Sequence, residues 1–127
     1  GFLTGAIDMA STFASGDFRA KTSRMNPENR KANMALVKLT KSWARRKSAT
    51  PAQIALGWLM AQSPSIVPIP GTTQIANLID NVGATSVSFS SQEIGELNAE
   101  VRAIKVLGAR MPDFVAAWSN VDAPPKT

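Results

Sequence analysis

Ile66-Val67-Pro68-Ile69-Pro70-Gly71-Thr72-Thr73 is a short apolar run set between turn residues and closed by a glycine. A run of that length and composition reads as a buried strand, although neither Pro68 nor Pro70 can donate to a ladder. Beyond the glycine, Ile75, Leu78, Ile79 and Val82 recur at i, i+3, i+4 and i+7. That spacing predicts a helix over 73–83 with one buried face. A strand that opens through glycine onto a helix N-terminus can cradle a phosphate, because the first-turn N–H groups have no intrahelical partners and the macrodipole favours an anion. The same residues also suit an ordinary helix cap at Gly71-Thr72-Thr73 and a solvated helix end at Asp80-Asn81. Residue physics alone leaves both readings open.

Upstream, Thr50-Pro51-Ala52-Gln53 is a capping box with proline at the first helical position. The helix it opens runs to about Gln62. Ile54, Ala55, Leu56, Trp58, Leu59 and Met60 make it apolar nearly all round, a pattern of burial on more than one side. Asn26-Pro27 starts a longer helix that ends at Lys47-Ser48-Ala49, with Ala32, Leu36, Leu39 and Trp43 as its apolar stripe. Residues 1–26 show no sustained period and read as a strand end followed by a long loop. Downstream, Val87 and Phe89 alternate with serines in an extended piece. Ser90-Ser91-Gln92-Glu93 is a second capping box, opening a helix with Ile94, Leu97, Val101 and Ile104 inward. Pro112, Pro124 and Pro125 mark an irregular tail in which Phe114, Val115 and Trp118 pack back.

Composition sets limits on function. The 127 residues carry 14 Lys+Arg against 9 Asp+Glu, a net charge of +5, and 44% hydrophobic residues. No apolar run approaches the ~20 residues of a membrane-spanning helix. The absence of cysteine excludes disulfides and thiolate metal sites and fits a reducing compartment. With no histidine either, a zinc site and a serine triad are not expected. Arg30, Lys31, Lys38, Lys41, Arg45, Arg46 and Lys47 concentrate the positive charge. No aromatics interleave with them and no nucleic-acid motif appears, so they read as the solvated outer face of a helix rather than a phosphate-tracking surface. No nucleic-acid, membrane or metal partner is expected, and the expected location is cytoplasmic.

Several separate stretches, in order, resemble the aldo-keto reductases. Gly1-Phe2-Leu3-Thr4-Gly5 is similar to the end of that family's seventh barrel strand and the loop after it, with Asp17-Phe18-Arg19 in the following loop. Thr50-Pro51-Ala52-Gln53-Ile54-Ala55-Leu56-Gly57-Trp58-Leu59 resembles its Ala-Gln-Ile-Ala-Leu-x-Trp-Leu helix. Ile69-Pro70-Gly71-Thr72-Thr73, Leu78 and Asp80-Asn81 resemble its last strand and cofactor-binding helix, and Gly108-Ala109-Arg110 its tail. The implied fold is α/β, the C-terminal part of a (β/α)₈ barrel. A whole barrel needs roughly 250 residues, so the chain is expected to be one incomplete domain over 1–127. Residues 1–26 would be strand end and loop, 27–107 helices, strand 8 and the phosphate segment, and 108–127 tail. Taken alone it would be mostly helical with one or two short strands.

The resemblance also implies a function, NAD(P)H-dependent reduction of a small carbonyl substrate. The family's Tyr, Asp, Lys and His tetrad lies on earlier strands. The chain has no tyrosine and no histidine, so no catalytic residue is assigned and the chain alone is expected to be inactive. What it would supply is the adenosine-phosphate side of the cofactor site. Leu3, Thr4 and Gly5 would lie against the pyrophosphate; Gly71, Thr72, Thr73, Gln74 and Asn77 would meet the 2′-phosphate; Asp80 and Asn81 would contact the adenine. NADP(H) is the cofactor the resemblance implies; relatives often carry Lys or Arg at the positions of Gln74 and Asn77, where this chain has neutral side chains, so NAD(H) is not excluded. Binding by the isolated chain would be weak or absent. The alternative function is a non-enzymatic module that persists by association with another chain. An unpaired strand edge favours self-association in either case.

Overall fold

The computed structural model describes residues 1–112 and Val115; Phe114 and Trp118 lie outside them. Among the described residues there are four α-helices and no strand: α1 (Pro27–Lys47), α2 (Pro51–Gln62), α3 (Ile75–Gly83) and α4 (Ser91–Ala103). The chain forms two compact units, one from Gly1–Asp8 with Met34–Lys105 and the other from Met9–Asn33 with Val106–Thr127.

The helix boundaries follow local chemistry. The Asn26 side chain accepts from the Asn29 N–H (2.9 Å), the N-cap of α1. α1 ends in a Schellman arrangement, with Ser48 in the left-handed region at φ 50° and the Ala49 N–H donating to the Ala44 carbonyl (2.9 Å). Both capping boxes form. The Thr50 and Ser90 hydroxyls accept from the N–H groups of Gln53 and Glu93, whose side chains reach back to the cap N–H groups.

The core of the first unit lies between the C-terminal half of α1, α2 and α4. Trp43, Ala44, Ile54 and Leu97 are buried at its centre, with Leu39, Trp58, Val87, Phe89 and Val101 packed around them. The indoles bury their rings and keep a polar handle. Trp43 Nε1 donates to Glu100 (2.6 Å) and Trp58 Nε1 donates to Asn98 (2.8 Å). The α1–α4 seam is closed by charge. Lys47 Nζ bonds both Glu93 carboxylate oxygens (2.8 and 3.0 Å), and Arg46 pairs with Glu96 at 2.9 Å. Arg46 also lies 3.8 Å from the Trp43 ring centroid. These hydrogen bonds hold the Glu93 and Glu96 carboxyls below their ordinary value of 4.5, through Lys47 and Arg46 respectively.

Four expectations are corrected. Ile66–Ile69 makes no ladder and is exposed, Ile69 at 93%. A ladder needs a second extended segment alongside, and the prolines remove two of the five backbone donors over Ile66–Pro70. Gly1–Gly5 is likewise not a strand end but a 3₁₀ turn over Phe2–Thr4, and loop 6–26 contains two more, Phe18–Lys21 and Ser23–Met25. The apolar face of α3 is not buried: Ile75 and Ile79 are 77% and 67% exposed, because no described element packs over it. On α1 the face is rotated. Ala32 is exposed, while Arg30, Asn33 and Thr40 are buried.

Arg30 therefore departs from the solvated basic face. In the second unit its guanidinium donates to the carbonyls of Ser11 (2.7 Å) and Met9 (3.3 Å), and it lies over the Phe13 ring. Asn33 exchanges two hydrogen bonds with the Leu107 backbone, both 2.9 Å. Loop carbonyls and amides satisfy these buried polar groups, except for Arg30 Nε, which is buried without a hydrogen-bond partner among the described residues. In the same unit the Arg19 side chain bonds Asp17 and lowers that carboxyl's pKa.

Candidate functional site

The α2–α3 junction is fixed by the residue that caps α2. A hydroxyl has one proton and two lone pairs, and Thr50 uses both kinds. Its Oγ1 accepts from the Gln53 N–H (3.1 Å) and donates to the Asp80 carboxylate at 2.9 and 3.1 Å. Gln53 Nε2 adds a bond to the Asp80 carbonyl (3.2 Å). Two residues of the α2 capping box thus hold Asp80 by side chain and by backbone. This sets the position of α3 on α2.

The consequence is a cleft of about 520 Å³ in the first unit. One wall is the N-terminal turn, with Leu3, Thr4 and Ala6. The floor is the small apolar face of α2, at Ala52, Ala55 and Leu56. The opposite wall is the segment entering α3 and the helix itself, with Pro70, Gly71, Thr72, Asn77, Asp80 and Asn81. Stretches almost seventy residues apart in sequence therefore meet.

Among the residues expected from sequence, Leu3, Thr4, Gly71, Thr72, Asn77, Asp80 and Asn81 line this cleft. Gly5, Thr73 and Gln74 do not. The Thr4 hydroxyl is engaged within its own turn, donating to the Gly1 carbonyl (2.6 Å) and accepting from the Ala6 N–H (3.2 Å). Thr72 Oγ1 accepts from the Gln74 N–H (3.1 Å) and from the Asn77 side chain (3.3 Å). Its proton makes only a 3.5 Å contact with the Gln74 carbonyl, a marginal hydrogen bond, so the hydroxyl can still donate to a ligand. A β-carbon added at Gly71 would meet nothing within 4 Å, so this backbone is open to approach.

Sequence reasoning found the walls and missed the floor and the brace. Thr50 and Gln53 were recognisable as a cap; the spare hydroxyl proton of Thr50 and the free amide of Gln53 were the signal of a second partner. The lining holds neutral hydroxyl and amide groups, one carboxylate already engaged, and no Lys or Arg. Among the described residues there is no group of three His, Cys, Asp or Glu that could hold a metal ion, and no helix is long and apolar enough to cross a membrane.

The sequence profile of the Aldo/keto reductase family matches residues 3–102. The chain belongs to the aldo/keto reductase family. It is 38% identical over 125 residues to the aldo-keto reductase yakc [NADP(+)] of Schizosaccharomyces pombe, an alignment covering 98% of this chain and 37% of that protein. The chain thus spans little more than a third of the length of this curated relative. No solved structure matches the chain. The family architecture is the (β/α)₈ barrel; among the described residues this chain shows helices and no strand ladder.

The cleft has the volume of a small-molecule site, with an apolar floor and a few convergent polar groups. Thr72, Asn77 and Asn81 bring hydroxyl and amide groups to it.

Proposed function

We propose that this chain forms the adenosine-phosphate side of the cofactor site of an NADP(H)-dependent carbonyl reductase, as the C-terminal part of a barrel domain. The observation that carries the proposal is the shared cleft: the N-terminal turn, the Gly71-Thr72 segment and the Asp80-Asn81 pair face one volume. When bound, the reduced cofactor supplies a hydride to a carbonyl carbon. The residues of this chain bind and orient rather than catalyse. Leu3 and Thr4 back the pyrophosphate, Gly71 and Thr72 with Asn77 meet the ribose phosphate, and Asn81 meets the adenine. The hydrogen bonds to Thr50 and Gln53 hold Asp80, so its carboxylate braces the cleft as well as bordering it. With neutral Gln74 and Asn77, discrimination between NADP(H) and NAD(H) is smaller than two charged side chains would give. The proton donor to the carbonyl oxygen comes from residues outside these 127, which include neither tyrosine nor histidine.

Calorimetric titration with NADP⁺ tests this. The expected result is saturable binding in the millimolar range that is lost in Gly71→Val, a substitution with room for its side chain in the free protein but not beside a ligand. Saturable binding that Gly71→Val leaves unchanged would reject the reading.

A second reading, a non-enzymatic module acting through association, is supported by the apolar surface of the first unit. Val67, Ile69, Ile75, Leu78, Ile79 and Val82 are 53–93% exposed. Contiguous apolar patches of this kind mark interaction surfaces.

A further inference from the structure

The cleft has no Lys or Arg side chain in its lining, yet the ligand class proposed for it is an anion. The first unit places a lysine against the turn that forms one of its walls. Lys41, on the exposed face of α1, lays its side chain across Gly5, whose chain neighbours Thr4 and Ala6 both line the cleft. A β-carbon at Gly5 would stand 2.7 Å from Lys41 Cε and 3.1 Å from Nζ. The first is closer than real β-carbons come, so a side chain at residue 5 would push the flexible end of Lys41 aside, and glycine leaves the lysine this place. Gly5 also has φ 79°, the left-handed region that glycine enters without steric cost. The left-handed conformation favours glycine, and its missing side chain gives Lys41 room.

The register between α1 and the N-terminal turn is fixed independently. Thr40, buried on α1, shares its hydroxyl proton between the carbonyls of Leu3 and Val37, both at 3.0 Å. The residue after Thr40 is thereby held at the residues after Leu3. Lys41 has no ion-pair or hydrogen-bond partner among the described residues, whereas Arg46 and Lys47 on the same helix are both paired with α4 carboxylates. Its ammonium is exposed, charged and uncommitted.

We propose that Lys41 is a binding residue for a phosphate group of the dinucleotide, supplying from α1 the positive charge that neither Gln74 nor Asn77 provides. The inference rests on the cofactor reading of the cleft and adds to it a residue, a helix and a role: affinity for the phosphoryl groups, with none for the nucleoside. Gly5 makes the space, Thr40 sets the register, and Lys41 carries the charge. The four-carbon stem lets the ammonium follow the phosphate as a point charge rather than as a fixed fork.

The test compares adenosine, ADP and NADP⁺ binding to the full chain by calorimetry at low salt, for the wild type, Lys41→Met, Lys41→Arg and Lys38→Met. Lys38 is an exposed lysine one turn earlier on α1 and controls for the general field. The expected result is a loss of about fivefold in ADP and NADP⁺ affinity in Lys41→Met, the upper range for one exposed charge contact. Adenosine affinity stays unchanged, Lys41→Arg retains binding and Lys38→Met behaves as wild type. Raising the salt should shrink the gap between ADP and adenosine in the wild type and leave it small in Lys41→Met. Equal ADP affinity in wild type and Lys41→Met, with adenosine still bound, overturns the role of Lys41 and leaves the cofactor reading standing. An equal loss in Lys38→Met overturns it too, by showing a general field effect. Failure of the wild type to bind adenosine rejects the cofactor reading and this inference with it. Circular dichroism melts of each variant establish that the helix is intact, and Lys41→Arg keeps the question answerable if Lys41→Met unfolds.

Discussion

Replacing Thr50 by alanine should cost more than any ordinary helix cap, because one hydroxyl serves two structures. Its acceptor side closes the α2 capping box through the Gln53 N–H at 3.1 Å. Its proton goes to the Asp80 carboxylate at 2.9 and 3.1 Å. Loss of an N-cap typically costs ~1 kcal/mol. Loss of a hydrogen bond to a charged, half-buried carboxylate adds roughly 1.5 kcal/mol. The total is about 2–3 kcal/mol. Ser90→Ala provides the internal standard. Ser90 caps α4 in the same way, accepting from the Glu93 N–H at 3.2 Å, and without the second role it should cost only ~1 kcal/mol. For a unit of this size, an excess of 1–2 kcal/mol separates the two melting midpoints by roughly 5–12 °C. Thermal and urea denaturation of Thr50→Ala, Thr50→Ser and Ser90→Ala measure this directly, with Thr50→Ser keeping both hydrogen bonds. In a cycle with Asp80→Ala, the double variant should recover about 1 kcal/mol relative to the sum of the singles. A Thr50→Ala variant that melts with Ser90→Ala, with no coupling to Asp80, would refute the brace.

Acid should loosen the α1–α4 seam. Glu93 and Glu96 are held below their ordinary 4.5 by Lys47 and Arg46, so their stabilisation is fully present above that value and is lost as pH falls through the depressed folded one. A melting temperature that declines below about pH 4.5, with a shallower decline in Glu93→Gln, is expected from a pH series of thermal scans. The exposed apolar surface of residues 67–82 predicts concentration-dependent self-association, which Ile75→Lys with Ile79→Lys should suppress in sedimentation experiments. An unchanged oligomer in that double variant would place the association elsewhere.

The features legible in the sequence are those that local chemistry decides. Thr50-Pro51-Ala52-Gln53 and Ser90-Ser91-Gln92-Glu93 specify caps within four residues, and both helices begin where those residues put them. Leu97 and Val101 face inward because the α4 stripe has a core to meet. The strand at Ile66–Ile69 failed for the opposite reason. A ladder is a property of two segments, and an apolar run cannot show whether its partner is present. The same holds for α3, whose i, i+3, i+4, i+7 pattern reports a face suited to burial and not the element that covers it. Arg30 misled, and Asn33 went unread, because charged and amide side chains normally point to solvent. Only the folded loop shows carbonyls of Met9, Ser11 and Leu107 waiting for them.

The cleft was half legible. Gly71, Thr72, Asn77, Asp80 and Asn81 sit on one continuous motif, and resemblance placed Leu3 and Thr4 with them. The floor at Ala52, Ala55 and Leu56 was hidden inside a helix that looks uniformly apolar. Lys41 was hidden among basic residues that read as one solvated face; its neighbours Arg46 and Lys47 are committed to α4, and it is not.

The central claim is that the N-terminal turn, the Gly71-Thr72 segment and the end of α3 bind one ligand together. Amide chemical-shift mapping of the isotope-labelled chain during NADP⁺ titration tests it most directly. Concerted shifts are expected at Thr4, Gly71, Thr72, Asn77 and Asn81 with a single dissociation constant, and none at Ser86 and Ser88 on the separate cleft by Lys47. Shifts scattered over the basic face of α1, with the cleft amides unmoved, would contradict it.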